Sequence, residues 1–179
     1  MINRRRLLAG GAMMLAAPAR AVMPAGVTRL PDLVAPGLSP RRVDMWRPAG
    51  ITGPLPLLIM HDGQNLFDPA LAYGGVTWGV AETAARMIAA GQVPPFMVAG
   101  VWNSPERWAD YAPAAMLNRL PPGVQADAAR QMGAPRQTLY TNALADRLVP
   151  ALRAAGAAPG KVAMMGSSMG GLVSLASLA

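Results

Sequence analysis

Three short apolar runs, separated by helical segments, constrain the fold of this 179-residue chain more than any other feature. The runs are Leu55–Met60, Phe96–Val101 and Lys161–Met165, and proline, glycine or polar residues bound each of them. Patterns with helical spacing lie between them at Trp78–Ala90 and Thr141–Ala155. Strands that alternate with helices pair into a parallel sheet through right-handed crossovers. The sequence therefore predicts an α/β fold with a mostly parallel sheet and flanking helices.

The remaining segments complete this outline. Arg41–Trp46 is a further candidate strand, and Leu172–Ala179 is an apolar helix. The stretch 22–40 is rich in proline and glycine and is predicted to be an irregular lead-in. Ser104–Arg136 is predicted to be a long polar excursion broken by prolines.

Local signals predict details of the two long helices. Glu82 and Arg86 have the i,i+4 spacing of a helical ion pair. Pro150 lies inside the second helical pattern and predicts a kink. Gly156 and the Pro159–Gly160 pair are expected to close that helix.

A glycine-rich serine motif, Gly166–Gly170 (GSSMG), lies between the last predicted strand and the apolar helix. A G-x-S-x-G pattern in that position is typical of a nucleophile elbow, where a serine on a strained turn projects its oxygen from the sheet edge. Glycines at both ends avoid clashes in the turn, and Gly171 lets the helix approach the strand. The helix N-terminus would direct free N–H groups at an oxygen that becomes charged. Ser168, at the centre of the motif, is the candidate nucleophile.

A second motif, His61–Gln64 (HDGQ), directly follows the first apolar run. A loop in this position can supply another oxyanion donor, because a glycine such as Gly63 frees the backbone to turn an N–H toward the substrate. The candidate oxyanion donors are the backbone N–H groups of Gln64 and Met169.

Five segments carry a resemblance to a known family: MHDGQNLFD, TWGVAETAARM, VWNSPERWADYAP, LADRLVPAL and VAMMGSSMGGLVSLA. In this order they resemble the putative-esterase family of α/β-hydrolases, which includes esterase D, enterochelin esterases, feruloyl and acetylxylan esterases and the mycolyltransferases. The resemblance covers 41–179 and implies an α/β-hydrolase domain there. It also implies a serine nucleophile at Ser168 and oxyanion donors at Gln64 and Met169.

The same resemblance implies a substrate pocket. The residues that it places near the acyl or alcohol pocket are the loop residues His61, Asp62 and Gly63, and further along the chain Trp78, Asn103, Arg107 and Tyr111.

The catalytic triad of this fold runs serine, then aspartate or glutamate, then histidine along the chain. The 11 residues after Ser168 contain neither an acid nor a histidine. The expectation is a truncated chain that holds the N-terminal part of the domain, ends at the elbow helix and lacks the triad acid and base. A pseudoenzyme, or a short variant with different chemistry, is the alternative. The single histidine, His61, could be considered as the base, but its position favours a structural role in the oxyanion loop, as does that of Asp62.

Composition and charge argue against several other classes. The chain has 16 basic and 9 acidic residues, and four of the basic ones lie in the first 21 residues. The others form no basic stripe interleaved with aromatics, so nucleic-acid binding is not expected. With no Cys and one His, disulfides, thiolate zinc sites and histidine-rich metal sites are excluded. The glycines at 166–171 also suit a dinucleotide loop, but no acidic residue follows them, so no cofactor is expected.

The N-terminus has the pattern of an export signal. Met1–Arg6 is basic, Leu7–Ala17 is an 11-residue apolar stretch too short to span a bilayer, and Ala19–Ala21 offers a signal-peptidase site. Asn3–Leu8 (NRRRLL) fits a twin-arginine signal, with an ordinary Sec signal as the alternative. We therefore expect a signal peptide at 1–21, no membrane span, and a periplasmic or secreted bacterial protein.

Three functions are compatible with these features. The leading one is an exported serine ester hydrolase that acts through an acyl-enzyme on Ser168, with a small-molecule or carbohydrate-linked ester as substrate. An acyltransferase of the mycolyltransferase type would use the same serine but pass the acyl group to a sugar. A non-catalytic binding protein on a hydrolase scaffold would leave Ser168 unlabelled by a fluorophosphonate. An in-frame continuation of the gene that encodes an acid and then a histidine would favour an enzyme.

Overall fold

A mixed sheet of five strands forms the centre of the computed structural model, which describes residues 23–178. The strands lie in the order β1-β2-β4-β3-β5, with β3 parallel to both of its neighbours and β2 antiparallel to both of its own. Their bounds are β1 Val27–Leu33, β2 Arg41–Trp46, β3 Leu55–His61, β4 Met97–Val101 and β5 Ala157–Met165. The predicted signal peptide, 1–21, lies outside the described residues.

Helices cover both faces of this sheet. Their bounds are α1 Val80–Ala89, α2 Arg107–Tyr111, α3 Ala114–Leu117, α4 Pro122–Met132, α5 Gln137–Ala143, α6 Val149–Ala154 and α7 Met169–Ala176. On one face, α1 packs through Ala81 and Ala84 against Met60 and Val98 of the sheet. The core on the other face holds the predicted leucine row of Leu144, Leu148 and Leu152, together with Val173 of α7. No helix in residues 23–178 combines the length and the apolar character that crossing a membrane requires.

The two central strands confirm the strongest predictions. All five residues of β4 are buried, and most of β3 is buried too, as continuous apolar runs with helices on both faces require. Helix α1 begins at Val80 rather than Trp78, because Gly79 has a φ of 61° and cannot continue a right-handed helix backwards. Arg86 donates to the Thr83 hydroxyl at 3.4 Å, and no ion pair with Glu82 occurs among the described residues.

The predicted irregular lead-in holds regular structure, so that prediction was wrong, and the predicted polar excursion contains short helices. The lead-in at 22–40 contains β1. Its apolar and polar residues do not alternate clearly, because β1 lies at the edge of the sheet and includes polar residues and Pro31. The polar excursion Ser104–Arg136 contains three helices, α2 to α4. The last of these begins with Pro122 in its first turn, where a proline costs no hydrogen bond.

The predicted kink at Pro150 takes the form of a π-helical turn directly before the proline. A π turn over Leu144–Leu148 joins α5 to α6, and the Val149 N–H donates to the Leu144 carbonyl. The helical pattern therefore runs through 137–154, with its irregularity directly before the proline, a frequent site of helix distortion. Pro159 and Gly160 do not close the helix but lie within β5, where the pairing with β3 shifts register.

Candidate functional site

Ser168 lies at the junction of β5 and α7 in a backbone conformation that a non-glycine residue rarely adopts. Its φ is 56° and its ψ is −121°, and within residues 23–178 only Asp62 is another non-glycine residue with positive φ. Such conformations cost of the order of 1–3 kcal/mol and cluster at functional sites. Ser168 is exposed, and its hydroxyl makes no hydrogen bond to any described residue. The turn thus presents a free hydroxyl at the carboxyl edge of the sheet.

The glycines around Ser168 are required by close backbone contact. A Cβ added at Gly166 would lie 2.5 Å from the Gly170 carbonyl carbon, a distance at which the turn could not close. A Cβ added at Gly171 would lie 3.3 Å from the Gly166 carbonyl oxygen, so the helix runs close to the end of the strand. The steric roles predicted for Gly166 and Gly171 are therefore present.

The loop after β3 forms the neighbouring part of the same edge. His61 ends β3, Asp62 has a left-handed conformation with φ 59° and ψ 45°, and Gly63–Asn65 forms one 3₁₀ turn. The backbone of Gly63 packs directly on β4, since an added Cβ would lie 2.4 Å from the Gly100 carbonyl carbon. Gly63 is therefore needed for this close approach to the next strand.

The elbow and this loop are in contact. Strand β3 pairs with β5 in parallel, with Met60 opposite Met165, so the segments that follow the two strands emerge side by side. A Cβ added at Gly170 would lie 3.3 Å from both Asp62 Oδ2 and His61 Cβ. The structure therefore brings the serine turn and the His61–Gln64 loop together, as the sequence predicts.

The two predicted oxyanion donors, the backbone N–H groups of Gln64 and Met169, both lie at this edge. Gln64 follows the left-handed Asp62, and Met169 is the first residue of α7. Neither amide N–H donates a hydrogen bond to another group within residues 23–178. The N-terminal N–H groups of a helix also carry the positive end of its dipole, which favours negative charge.

A buried carboxylate fixes the loop. Arg107 binds Asp62 with both nitrogens of its fork, Nε to Oδ1 at 2.7 Å and Nη2 to Oδ2 at 2.8 Å, and Asn103 Nδ2 donates to Oδ1 at 2.8 Å. Hydrogen bonding to Asp62 raises the pKa of Arg107 above its usual value. The Asn103 N–H also donates to Gln64 Oε1 at 3.2 Å, so the segment after β4 holds both sides of the turn.

His61 supports the loop from inside the protein. It is fully buried, and its Nδ1 lies 2.9 Å from the Tyr140 hydroxyl. Desolvation by burial lowers the pKa of His61 to about 4, an effect that Asp62 opposes and Arg107 reinforces. Tyr111 is buried as well, and its hydroxyl accepts the Asp62 N–H at 3.4 Å. These side chains hold the loop from its inner side, without facing an open pocket.

Several buried polar residues behind the loop are absent from the predicted site. Arg41 donates to Asp110 Oδ2 at 2.6 Å, and the Ser104 hydroxyl donates to the same oxygen at 2.8 Å. The Arg41 guanidinium also lies 5.0 Å from the centre of the Tyr140 ring. No local pattern marks Tyr140 or Arg41 for this role, since their partners lie far away in the sequence. The only available signal was an arginine as the first residue of a predicted strand.

Trp78 is tied to the site through its backbone. Its N–H donates to the Asn65 carbonyl at 2.8 Å, while its side chain is exposed on the surface. Within residues 23–178, no cluster of three or more metal-ligating side chains occurs.

Comparisons with known proteins agree with the fold. The family model described as "Putative esterase" matches residues 41–179. Among solved structures, an IroE-like serine hydrolase from Shewanella oneidensis is 17% identical, with a TM-score of 0.62 over 85% of this chain and 46% of its own. BES protein from Bacillus cereus is 14% identical, with a TM-score of 0.63 over 88% of this chain and 59% of its own.

A third structure, the siderophore hydrolase EstB from Aspergillus nidulans, is 17% identical, with a TM-score of 0.63 over 88% of this chain and 54% of its own. The chain thus spans about half the length of these similar structures. No curated protein sequence matches it significantly. These structures share the α/β-hydrolase fold with this chain, and the match over 41–179 shows that the chain belongs to the putative esterase family.

Proposed function

We propose that the protein is an exported serine ester hydrolase that acts through an acyl-enzyme on Ser168. The observation that carries this proposal is the strained, exposed backbone turn of Ser168 between β5, at the edge of the sheet, and the N-terminus of α7. A turn that costs folding energy and leaves its hydroxyl free is expected where that hydroxyl reacts. Membership of the esterase family supports the same reaction class.

The proposed reaction begins with attack by the Ser168 hydroxyl on the ester carbonyl carbon. As Oγ forms this bond, its proton passes to a general base, and the carbonyl oxygen becomes an oxyanion. The free N–H groups of Gln64 and Met169 would donate to that oxyanion, which stabilises it. The alcohol then leaves with a proton, and water hydrolyses the acyl-serine to the carboxylic acid and free Ser168.

His61 is not the base in this proposal. Its Nδ1 is engaged by Tyr140, its ring is buried, and its pKa of about 4 makes it a weak proton acceptor at neutral pH. We assign it, with Asp62 and Arg107, to the support of the oxyanion loop.

The proposed substrate is an ester of a small molecule, in line with the siderophore hydrolase among the similar structures. The proposal also includes cleavage of a signal peptide after Ala21 and a periplasmic or secreted location. N-terminal sequencing of the exported protein is expected to begin at Val22, and a mature chain that keeps Met1 would contradict export by this route.

Covalent trapping tests the role of Ser168. In the product of the complete gene, we expect a fluorophosphonate probe to label Ser168, as located by peptide mass spectrometry, and p-nitrophenyl acetate to be hydrolysed. Ser168→Ala should abolish both, whereas Ser167→Ala, an exposed serine one residue away, should keep both. Labelling at Ser167, or no labelling of protein whose circular dichroism shows the native fold, would overturn the proposal and favour a non-catalytic binding protein.

A further inference from the structure

An apolar loop, 71–78, lies on the surface next to the proposed oxyanion loop. Four large apolar side chains are exposed within these eight residues: Leu71 at 43%, Tyr73 at 92%, Val76 at 72% and Trp78 at 39%. Clustered exposed apolar side chains are costly in water and mark surfaces that bind something. No other stretch of this length within residues 23–178 has as many.

The apolar loop is attached to the residue beside Gln64. Asn65 accepts the Tyr73 N–H on its side-chain oxygen and the Trp78 N–H on its carbonyl, each at 2.8 Å. Before the loop begins, Leu66 and Phe67 are buried in the core. Tyr73, within the loop, and Trp78, at its end, are therefore both fixed to the residue next to a proposed oxyanion donor.

The tip of the loop projects into open space. Gly74 and Gly75 have φ values of 72° and 74°, and a Cβ added at either would meet no atom within 4 Å. Tyr73 and Val76 flank these glycines and are the most exposed of the four side chains. No part of residues 23–178 covers these two side chains.

The charges around the loop indicate the kind of ligand. Residues 71–78 contain no charged side chain, and Asp68 before them accepts the Ala70 N–H at 2.9 Å. The charged pair of the proposed oxyanion loop, Asp62 and Arg107, is internally neutralised. The surface thus offers apolar contact and aromatic rings, without a charge to bind an ionic group or an anionic membrane.

We infer that the apolar loop binds the uncharged apolar part of the ester substrate and sets the preference of the enzyme for large alkyl or aryl groups. This inference rests on the proposed function and extends it to a substrate class. The apolar group could belong to the acyl or to the alcohol side of the ester, and both sides offer the same chemistry to the loop.

Matched substrates and variants test this inference. The acyl series compares p-nitrophenyl hexanoate with p-nitrophenyl acetate, and the alcohol series compares 2-naphthyl acetate with ethyl acetate. Tyr73→Ser and Val76→Ser should each raise KM for the larger ester of one series by about threefold to tenfold, with kcat and the smaller ester nearly unchanged. The series that responds identifies the side of the ester that contacts the loop.

Val34→Ser is the control variant. Val34 is also highly exposed, at 58%, but it follows β1 at the far end of the sheet, so its loss should leave every KM unchanged. Unchanged KM values in both series for the two loop variants would overturn the inference and leave the esterase proposal intact.

A binding measurement separates the inference from the proposed function. In a Ser168→Ala background, where turnover is not expected, equilibrium dialysis should show that Tyr73→Ser and Val76→Ser weaken binding of the larger ester by a similar factor. Should the parent protein fail to hydrolyse any ester, this measurement still decides on the loop. Co-sedimentation with phosphatidylcholine vesicles that the loop variants abolish, together with unchanged ester binding, would assign the loop to a lipid surface and overturn the inference.

Discussion

Ser168 combines an unfavourable backbone conformation with a side chain that contributes nothing to the helix it precedes. Its φ is positive, and its hydroxyl makes no capping hydrogen bond to α7. Glycine adopts positive φ without steric cost, although it adds freedom to the unfolded chain. We therefore expect the Ser168→Gly protein to be more stable than the Ser168→Ala protein by about 1 kcal/mol. This difference is the backbone strain that glycine relieves, minus the cost of the freedom that glycine adds to the unfolded chain. Urea unfolding at pH 7 measures this, and equal stabilities would contradict the strain.

His61 should make stability depend on pH. Its pKa is lowered to about 4, below the ordinary value near 6.5, because burial disfavours the charged ring. The unfolded chain therefore binds a proton at a higher pH than the folded one. The stability from neutral His61 is complete above about pH 6.5 and is lost as the pH falls toward 4, at up to about 1.4 kcal/mol per pH unit.

Comparison with His61→Phe isolates this effect. The carboxylates titrate in both proteins, so the difference between their urea unfolding curves at pH 7, 6 and 5 belongs to the histidine. We expect the parent to lose more stability than the variant over this range. Parallel pH profiles would show that His61 stays accessible to protons in the folded protein.

The role of a single residue can be predicted from the sequence when it depends only on residues a few positions away. The glycines of the elbow and the central position of Ser168 follow from a five-residue pattern, and the contacts at Gly166 agree with it. The partner of His61 could not be predicted, because Tyr140 lies 79 positions away and nothing in its neighbourhood marks it. Burial of His61 and Tyr111 likewise depends on helices that only the folded chain brings over them.

Among the elements, α2 is joined to the loop after β3 by the Arg107–Asp62 pair. Asp62 is almost completely buried and Arg107 keeps partial solvent access. Arg107→Met would leave the buried carboxylate unpaired, so we expect a loss of roughly 2–4 kcal/mol in unfolding free energy and a drop in kcat as the Gln64 N–H loses its fixed direction. Adding Asp62→Asn to Arg107→Met should recover part of the stability.

The chain offers a matched control for this pair. Arg130 and Asp127 form an ion pair on the exposed surface of α4, with both side chains more than half accessible. Arg130→Met should cost no more than about 1 kcal/mol, because water screens exposed pairs. Equal losses for the two methionine variants would mean that Arg107 does not hold the loop.

Elements were predicted correctly where apolar residues recur strongly and incorrectly where they do not. The runs of β3 and β4 and the leucine row through 137–154 stand out, because each is buried by packing on both sides or on one face. β1 was not predicted, because an edge strand needs only one buried face and polar residues interrupt even that face here. The short α2 is buried through contacts with distant residues such as Arg41, which no window of local sequence includes.

For the molecule as a whole, the strand order predicts a gradient of backbone protection. β4 is entirely buried and paired on both sides, whereas β5 pairs only with β3 among the described strands and is largely exposed. Native-state hydrogen exchange should therefore be slower in β4 than in β5 by an order of magnitude or more. Protection of β5 equal to that of β4 would show that its outer edge is covered in solution.

The parallel pairing of β3 with β4 and β5 followed from alternating strands and helices, but the antiparallel pairing of β2 and the position of each strand in the sheet did not. β4 lies between β2 and β3, so its neighbours precede it by about 40 to 55 residues, and such pairings leave no local trace. The resemblance to a family supplied what local patterns could not, namely that the segments after β3 and β5 meet at one edge.

The contact between Gly63 and Gly100 has a consequence for protein engineering. A Cβ added at Gly63 would lie 2.4 Å from the Gly100 carbonyl carbon, a main-chain atom that no substitution removes, whereas a Cβ added at Gly100 would first meet the Leu66 side chain at 2.7 Å. In a saturation library, position 63 should therefore stay intolerant whichever ester is used for selection, whereas alanine at position 100 should become acceptable once Leu66 is replaced by a smaller residue. The residues accepted at position 63 would report on folding alone. The residues accepted at positions 73 and 76, by contrast, should change with the ester used for selection.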